Sequence, residues 1–195
     1  MEKIYETAYA KINLGLDVLG KRSDGYHEVR MVMQSVGLSD AVEIEEGEGL
    51  VVETDHSGLA GGPDNLAWKA AELLARCCGK IPNVHIRLNK KIFLAAGLAG
   101  GSSDAAAVMR GLSRLWQLDL TAPELEKLAA ELGSDIPFCI TGGTALAEGR
   151  GEILTELPEA PELLLVLAKP KLEVATGWVY GNFRQQKVNQ RPDID

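Results

Sequence analysis

Between Lys11 and Val18 apolar and polar side chains alternate without a break, with Ile12, Leu14, Leu16 and Val18 on one side and Lys11, Asn13, Gly15 and Asp17 on the other. That period of two predicts a strand with a core face and a face free to carry chemistry. Further strands are predicted around 41–46, 50–54 and 83–89, the last setting Val84, Ile86 and Leu88 against His85 and Arg87. The period turns helical over 64–78, behind an Asp64-Asn65 start, and over 104–116, where Ala105, Val108, Met109, Leu112 and Trp116 share a face. A third helix is predicted over 122–132, opened by the capping box Thr121-x-x-Glu124 with proline in its first turn. After Gly142-Gly143 a hairpin is expected, Thr144 to Glu148 and Glu152 to Leu157 flanking the turn Gly149-Arg150-Gly151. The apolar run Leu163 to Ala168 predicts a buried strand. Pro158 and Pro161 ahead of it mark a boundary, giving one domain over 1–158 and the beginning of another over 159–195. The tail, Lys187 to Asp195, is polar and closes no element.

The segment Leu94-Ala95-Ala96-Gly97-Leu98-Ala99-Gly100-Gly101-Ser102-Ser103-Asp104 stands immediately before the second helical pattern. Without bulky side chains its backbone can approach a ligand closely, and the N–H groups and dipole of the following helix would face an anion there. No lysine is needed for such a phosphate site. The segment lacks the Gly-Lys-Ser/Thr ending of a Walker loop and the Gly-x-Gly-x-x-Gly spacing of a dinucleotide fold. Taken alone, it reads equally as a glycine turn capped by Ser102 or Ser103.

Composition narrows the partners. The formal charge is −8 over 195 residues with 46% hydrophobic content, and no basic block offsets the acidic excess, which argues against nucleic-acid or membrane-surface binding. Backbone recognition of phosphate is compatible with that charge. Cys77, Cys78 and Cys139 have no metal-ligand spacing and read as reduced, mostly buried thiols of a cytoplasmic protein. The N-terminal residues lack the apolar stretch of a signal peptide or membrane span.

Three more segments accompany the glycine run in order: Ala10-Lys11-Ile12-Asn13-Leu14, Arg22-Ser23-Asp24-Gly25-Tyr26-His27, and Gly133-Ser134-Asp135-Ile136-Pro137. Together the four resemble the GHMP kinase superfamily, over about residues 5 to 182. The Asp-Gly-Tyr-His segment is similar to the branch that phosphorylates the 2-hydroxyl of a cytidine-diphosphate ester of methylerythritol, in the non-mevalonate route to isoprenoids. The resemblance implies an α+β fold, the GHMP N-terminal domain, which is like domain 2 of ribosomal protein S5 with its left-handed βαβ unit. It also implies the beginning of a ferredoxin-like second domain, which in family members continues past Asp195 with its own glycine-rich motif. Whether this chain turns over by itself is left open by that difference in length. A sheet short of partner strands would expose an edge and an apolar face, which favours a homo-oligomer.

The resemblance also assigns roles. Residues Leu94 to Ser103 would bind ATP, and Asn65 and Leu66 would help enclose its base and ribose. Lys11 and Asp135 would be catalytic, Asp135 as base and Lys11 holding it ionised and polarising the attacking hydroxyl. Asn13 would contact the substrate, while Tyr26 and His27 would bind its cytosine by stacking and hydrogen bonding. Tyr180 is the candidate for a second aromatic across from Tyr26, with Trp178 behind it. Mg²⁺ would accompany the nucleotide phosphates, Ser103 being a candidate ligand. Each residue also has a plainer reading: Asp135 as a cap, Lys11 as a solvated strand residue, Tyr26 and His27 as a hairpin tip, Asn65 as the N-cap of its helix. Phe93 stands where the family has a proline leading into the loop, and is expected to pack as strand core. Kinases of mevalonate or homoserine, and a nucleotide-binding module without turnover, are the alternatives.

Overall fold

The computed structural model describes residues 3–172, 174–184, 188 and 190–194. A mixed sheet contains β1 (Lys3–Lys21), β2 (His27–Glu46), β3 (Leu50–Thr54), β4 (Val84–Asn89), β5 (Thr144–Glu148) and β6 (Ile153–Glu156). The helices are α1 (Leu66–Cys77), α2 (Gly100–Leu115), α3 (Ala122–Ala129), α4 (Ile136–Thr141) and α5 (Thr176–Asn182).

The long β2 is the spine of the sheet. One of its edges pairs antiparallel with β1, from Lys3 opposite Glu45 to Lys21 opposite His27. Its other edge is shared: 41–46 pair with β4 and 31–34 with β5, giving the order β3-β4-β2-β5-β6. β3 and β4 are parallel neighbours joined through α1, a βαβ unit inside an otherwise antiparallel sheet.

Helices α1 and α2 cover one face, where Ile44, Ile86 and Leu88 meet Ala70, Leu74, Met109 and Leu112 in the main core. Full burial of such a side chain contributes about 1.5–3 kcal/mol. Alanines fill the closest part of the contact, and Gly111 completes it: a Cβ built there would lie 2.4 Å from Ile44 Cδ1. A smaller cluster of Val29, Met31, Met33, Phe138, Ala145 and Ala147 seats α4 on β2 and β5.

Several expectations are corrected. The 11–18 alternation does not divide core from solvent: Leu14 and Leu16 are exposed while Lys11 is buried. Register shifts at Tyr9/Lys11, Asn13/Gly15 and Val18/Gly20 explain this, because each resets which side the following residues face. The helix expected from Asp104 begins at Gly100, so half of the glycine run is its first turn. Residues 163–168 form no strand and are not buried; Leu164 is 99% exposed. No strand among the described residues pairs with this run, and a lone strand leaves its backbone groups unsatisfied. Cys77, at the end of α1, is exposed, and Cys78 and Cys139 are partly buried.

The tail does engage the body, since Arg191 Nη1 lies 2.8 Å from both carboxylate oxygens of Asp17. Lys187, Asn189 and Asp195, which belong to the same expectation, lie outside the described residues. Among the described residues no helix is long and apolar enough to cross a membrane.

Candidate active site

The glycine loop is held from beneath by charge. Asp40 Oδ1 accepts from the backbone N–H groups of Lys91 and Ile92, the latter at 2.8 Å. Its Oδ2 meets Lys90 Nζ at 2.5 Å, and the same ammonium reaches Asp104 Oδ2 in α2. All three side chains are at most 1% exposed, so the start of the loop and the helix after it are joined through one buried cluster. Burial pushes the Asp104 carboxyl up to about 7; Lys90 opposes that shift and Asp40 adds to it. Asp104 Oδ1 has no hydrogen-bond partner among the described residues. Phe93 is half exposed and not strand core, because Asp40 fixes the turn from the opposite side through its neighbours' backbone.

Beyond this anchor the chain takes positive φ at Ala95 (50°), Gly97 (72°) and Ala99 (57°). Left-handed residues alternating with ordinary ones turn successive N–H groups toward one side, as in an anion nest. Between them Leu98 is buried beside Ala10 and Ile92, fixing the loop to the sheet. Ala99 is the N-cap of α2 and offers no side-chain acceptor, so the first-turn N–H groups are not capped from within. The capped-turn reading is thereby excluded. Ser103 is turned inward, its Oγ donating to the Tyr9 carbonyl at 2.5 Å.

Lys11 and Asp135 meet at the mouth of this loop. Lys11 Nζ lies 3.6 Å from Asp135 Oδ2 and donates to Asn13 Oδ1 at 3.2 Å. Lys11 is no solvated strand residue, since its side chain is 6% exposed against 34% for Asp135. Asp135 occupies the N-cap position of α4 but makes no capping bond with its side chain, so the carboxylate is free to face the lysine. Arg110 fixes the relative placement: it donates to the carbonyls of Cys139 (2.6 Å) and Thr7 (3.0 Å), tying α4 to β1.

Tyr26 and His27 stand at the turn between β1 and β2. Asp24 Oδ1 accepts from the Tyr26 N–H at 3.1 Å, and Arg22 is paired with Asp24 and Glu28. Tyr180 lies in α5, its ring stacked on His27 at 5.2 Å rather than standing alone across from Tyr26. Burial raises its phenol pKa, with the Asp135 charge adding to the effect. Trp178 is exposed and does not line the site.

One cleft of about 1270 Å³ gathers Lys11, Asn13, Tyr26, His27, Asp135 and Tyr180 with Ala95, Ala96, Gly97 and Ser102 of the loop. Leu94, Leu98, Ala99, Gly100, Gly101 and Ser103 shape the loop without lining the cleft. Asn65 caps α1, accepting from the Ala67 N–H at 2.9 Å and donating to the Ala60 carbonyl at 2.9 Å. Leu66 reaches Gly101, its Cδ1 being 3.6 Å from where a Cβ would stand there. Among the described residues no group of three His, Cys, Asp or Glu side chains could hold a metal.

This arrangement has close relatives. Residues 65–143 match the family described as GHMP kinases N terminal domain. Over the whole chain, the 4-diphosphocytidyl-2-C-methyl-D-erythritol kinase of Acetivibrio thermocellus is 48% identical, and the chain covers 69% of that protein. The chain belongs to the 4-diphosphocytidyl-2-C-methyl-D-erythritol kinase family. The kinases of that name from Synechococcus and Geobacillus kaustophilus are 51% and 49% identical, with 60% and 66% of their lengths covered. The chain therefore spans about two thirds of the length of these curated relatives. A crystal structure of 4-(cytidine 5'-diphospho)-2C-methyl-D-erythritol kinase superposes with a TM-score of 0.77 at 35% identity, covering 96% of this chain and 67% of that one. A mevalonate kinase structure, with TM-score 0.60 and 15% identity, shares the fold alone.

Beside the motifs of this kinase family, the structure adds residues that the sequence reading passed over. Asp40, a lone charge between Leu38 and Val42 in a strand, carried a visible signal, since a carboxylate in an apolar run needs a partner. Lys90 and Arg110 carried none. Arg150, read only as part of a turn, lines the cleft with its guanidinium carbon 4.9 Å from the Tyr26 ring centre.

Proposed function

We propose that this chain binds ATP at the glycine loop and 4-diphosphocytidyl-2-C-methyl-D-erythritol at the β1–β2 turn, and directs the acceptor's 2-hydroxyl onto the γ-phosphate. The observation that carries this is the placement of Lys11 and Asp135, 3.6 Å apart, in the cleft that Ala95, Ala96 and Gly97 of the loop and Ser102 in the first turn of α2 also line. Small-molecule pockets run to about 300–1,000 Å³, so a cleft of about 1270 Å³ is roomy enough for a donor and an acceptor together.

In the reaction Asp135 accepts the proton of the 2-hydroxyl as its oxygen bonds to the γ-phosphorus. The bond from that phosphorus to the bridging oxygen breaks, and ADP leaves with the electron pair. Lys11 faces both the carboxylate and the attacking oxygen, and the backbone N–H groups of the loop neutralise phosphate charge. Bound with the nucleotide, Mg²⁺ would add charge neutralisation on the phosphates. Among the described residues no carboxylate cluster stands ready for it, and Ser103, whose hydroxyl donates to the Tyr9 carbonyl, is a poor ligand in this arrangement. On the acceptor side Asn13, Tyr26, His27 and Tyr180 form the wall, and on the donor side Leu66 borders the loop while Asn65 caps the helix that carries it.

A coupled ADP-release assay with the cytidyl acceptor tests the reading. Release that depends on the acceptor and disappears in Asp135→Asn is expected; full activity in that variant would overturn the role of Asp135. ATP binding without any release would instead favour a nucleotide-binding module.

A further inference from the structure

Arg150 occupies the turn between β5 and β6, and this turn is fixed on three sides. Its backbone N–H donates to Glu152 Oε2 at 2.6 Å, and its Nε lies 3.4 Å from Glu152 Oε1. The neighbouring Gly149 carbonyl accepts from the Val29 N–H at 2.9 Å, which ties the turn to the strand that starts at His27. On the other side the chain passes close to the catalytic aspartate's neighbour, since a Cβ on Gly151 would be 3.8 Å from Ser134 Cβ. Arg150 thus lines the cleft beside Tyr26, and the residue after it passes close to the segment that carries Asp135.

A molecule with its cytosine at Tyr26 and its hydroxyl at Asp135 must run its diphosphate past this turn. Lys11 is engaged by Asn13 and Asp135, and Arg22 by Asp24 and Glu28. Lys21 and Lys169 also line the cleft, but Arg150 is the cation whose guanidinium lies over the Tyr26 ring, at 4.9 Å; its Nε is paired with Glu152, its charge acts on Asp24, and its terminal nitrogens make no hydrogen bond among the described residues. A planar guanidinium can cover an aromatic face while its N–H fork pairs a phosphate.

We propose that Arg150 is a specificity-determining residue of the acceptor site: it braces the Tyr26 ring and pairs with the acceptor's diphosphate. This rests on the cytidyl reading given above. Calorimetric titration of cytidine, CDP and ATP into the wild-type chain, Arg150→Met and Arg150→Lys tests it. Wild type is expected to bind CDP more tightly than cytidine. Arg150→Met should lose about tenfold on CDP and about two- to fivefold on cytidine, with ATP affinity unchanged. Arg150→Lys keeps the charge without the fork and should fall between the two. In a cycle with Tyr26→Leu the cytidine losses should be less than additive, a coupling that a merely structural turn residue would not show. Wild-type CDP and cytidine affinities in Arg150→Met, or equal losses for CDP and ATP, would overturn the proposal. Failure of the wild-type chain to bind CDP while it binds ATP would overturn the cytidyl reading itself.

Discussion

The backbone N–H of Lys11 donates to the carbonyl of Leu98 at 3.1 Å, while its ammonium faces Asp135. One residue therefore ties the glycine loop and Asp135 to each other, and its two contacts are separable. Lys11→Met keeps the backbone bond and removes only the charge. The expected result is an activity loss of about 10²- to 10⁴-fold with ATP affinity within about twofold of wild type. Asp135→Asn should behave alike and shift stability by less than about 1 kcal/mol, since its carboxylate is partly exposed and caps nothing. Loss of ATP binding in Lys11→Met, followed by nucleotide titration, would contradict the separation.

Asp40 lies beneath the cleft and bears on stability rather than on contact with a ligand. It compensates Lys90 and accepts the N–H groups that lead into the loop. Asp40→Asn keeps the shape but leaves the buried ammonium short of a partner, which costs about 3–5 kcal/mol in comparable sites. Urea denaturation should show that loss, and ATP affinity should weaken because the start of the loop is released. A change under 1 kcal/mol would mean that Asp104 alone suffices to hold Lys90.

Asp104 makes a prediction about pH. Its carboxyl is raised from 3.8 to about 7 in the folded chain, so the native state holds a proton that the unfolded chain has released between those values. Its contribution to stability is complete below about 4 and is lost as the pH rises toward 7, opposite to an ordinary ion-paired aspartate. The melting temperature of wild type minus that of Asp104→Asn should therefore fall between pH 4.5 and 7.5. A difference that stays constant across this range would show that the group does not titrate there.

How much of this was legible depended on whether the signal was local. The helix expected over 122–132, observed as Ala122–Ala129, was announced by Thr121 and Glu124, and both the N–H and the hydroxyl contacts of that box to the carboxylate are present. Lys11, Asp135, Tyr26 and the loop were legible as motifs whose order matched a family. What the pattern misjudged is set by long-range pairing. The bulges of β1 are defined by its register against β2, and within 11–18 only Gly15, which adjoins one of the shifts, gave a local sign of them. Lys90 meets Asp40 across fifty residues, so neither side chain alone declares the cluster. Val29, Met31 and Met33, by contrast, alternate with Glu28, Arg30 and Val32, and the first half of β2 was there to be read.

Ala99 holds φ 57° and ψ 28°, a left-handed conformation that costs an L-residue about 1–2 kcal/mol. Ala99→Gly relieves that cost but loosens the unfolded chain, so stability should move by no more than about 1 kcal/mol and ATP binding should persist. Ala99→Val places a branched side chain where it fits worst. It should lose over about 2 kcal/mol, or flip the loop and weaken ATP at least tenfold; denaturation and nucleotide titration separate the two outcomes. Wild-type behaviour of the valine variant would show that the loop does not depend on this conformation.

Past Ala160, whose N–H still reaches Thr144 Oγ1 at 3.2 Å, the chain enters an apolar run whose Leu163, Leu165 and Leu167 line a groove with Val36 and Leu38, while the residues between them face away. Leu164 and Val166 are 99% and 95% exposed, and contiguous apolar surface of this kind associates with whatever covers it. In a solution of this chain alone the available cover is another copy. Sedimentation should show a mass that rises with concentration, and Leu164→Asp with Val166→Asp should abolish the rise. Because neither side chain contributes packing, the same double change should leave the melting temperature within about 2 °C at low concentration, where association no longer adds stability. An unchanged concentration dependence would place the contact elsewhere, with the outer edge of β1 as the next surface to charge.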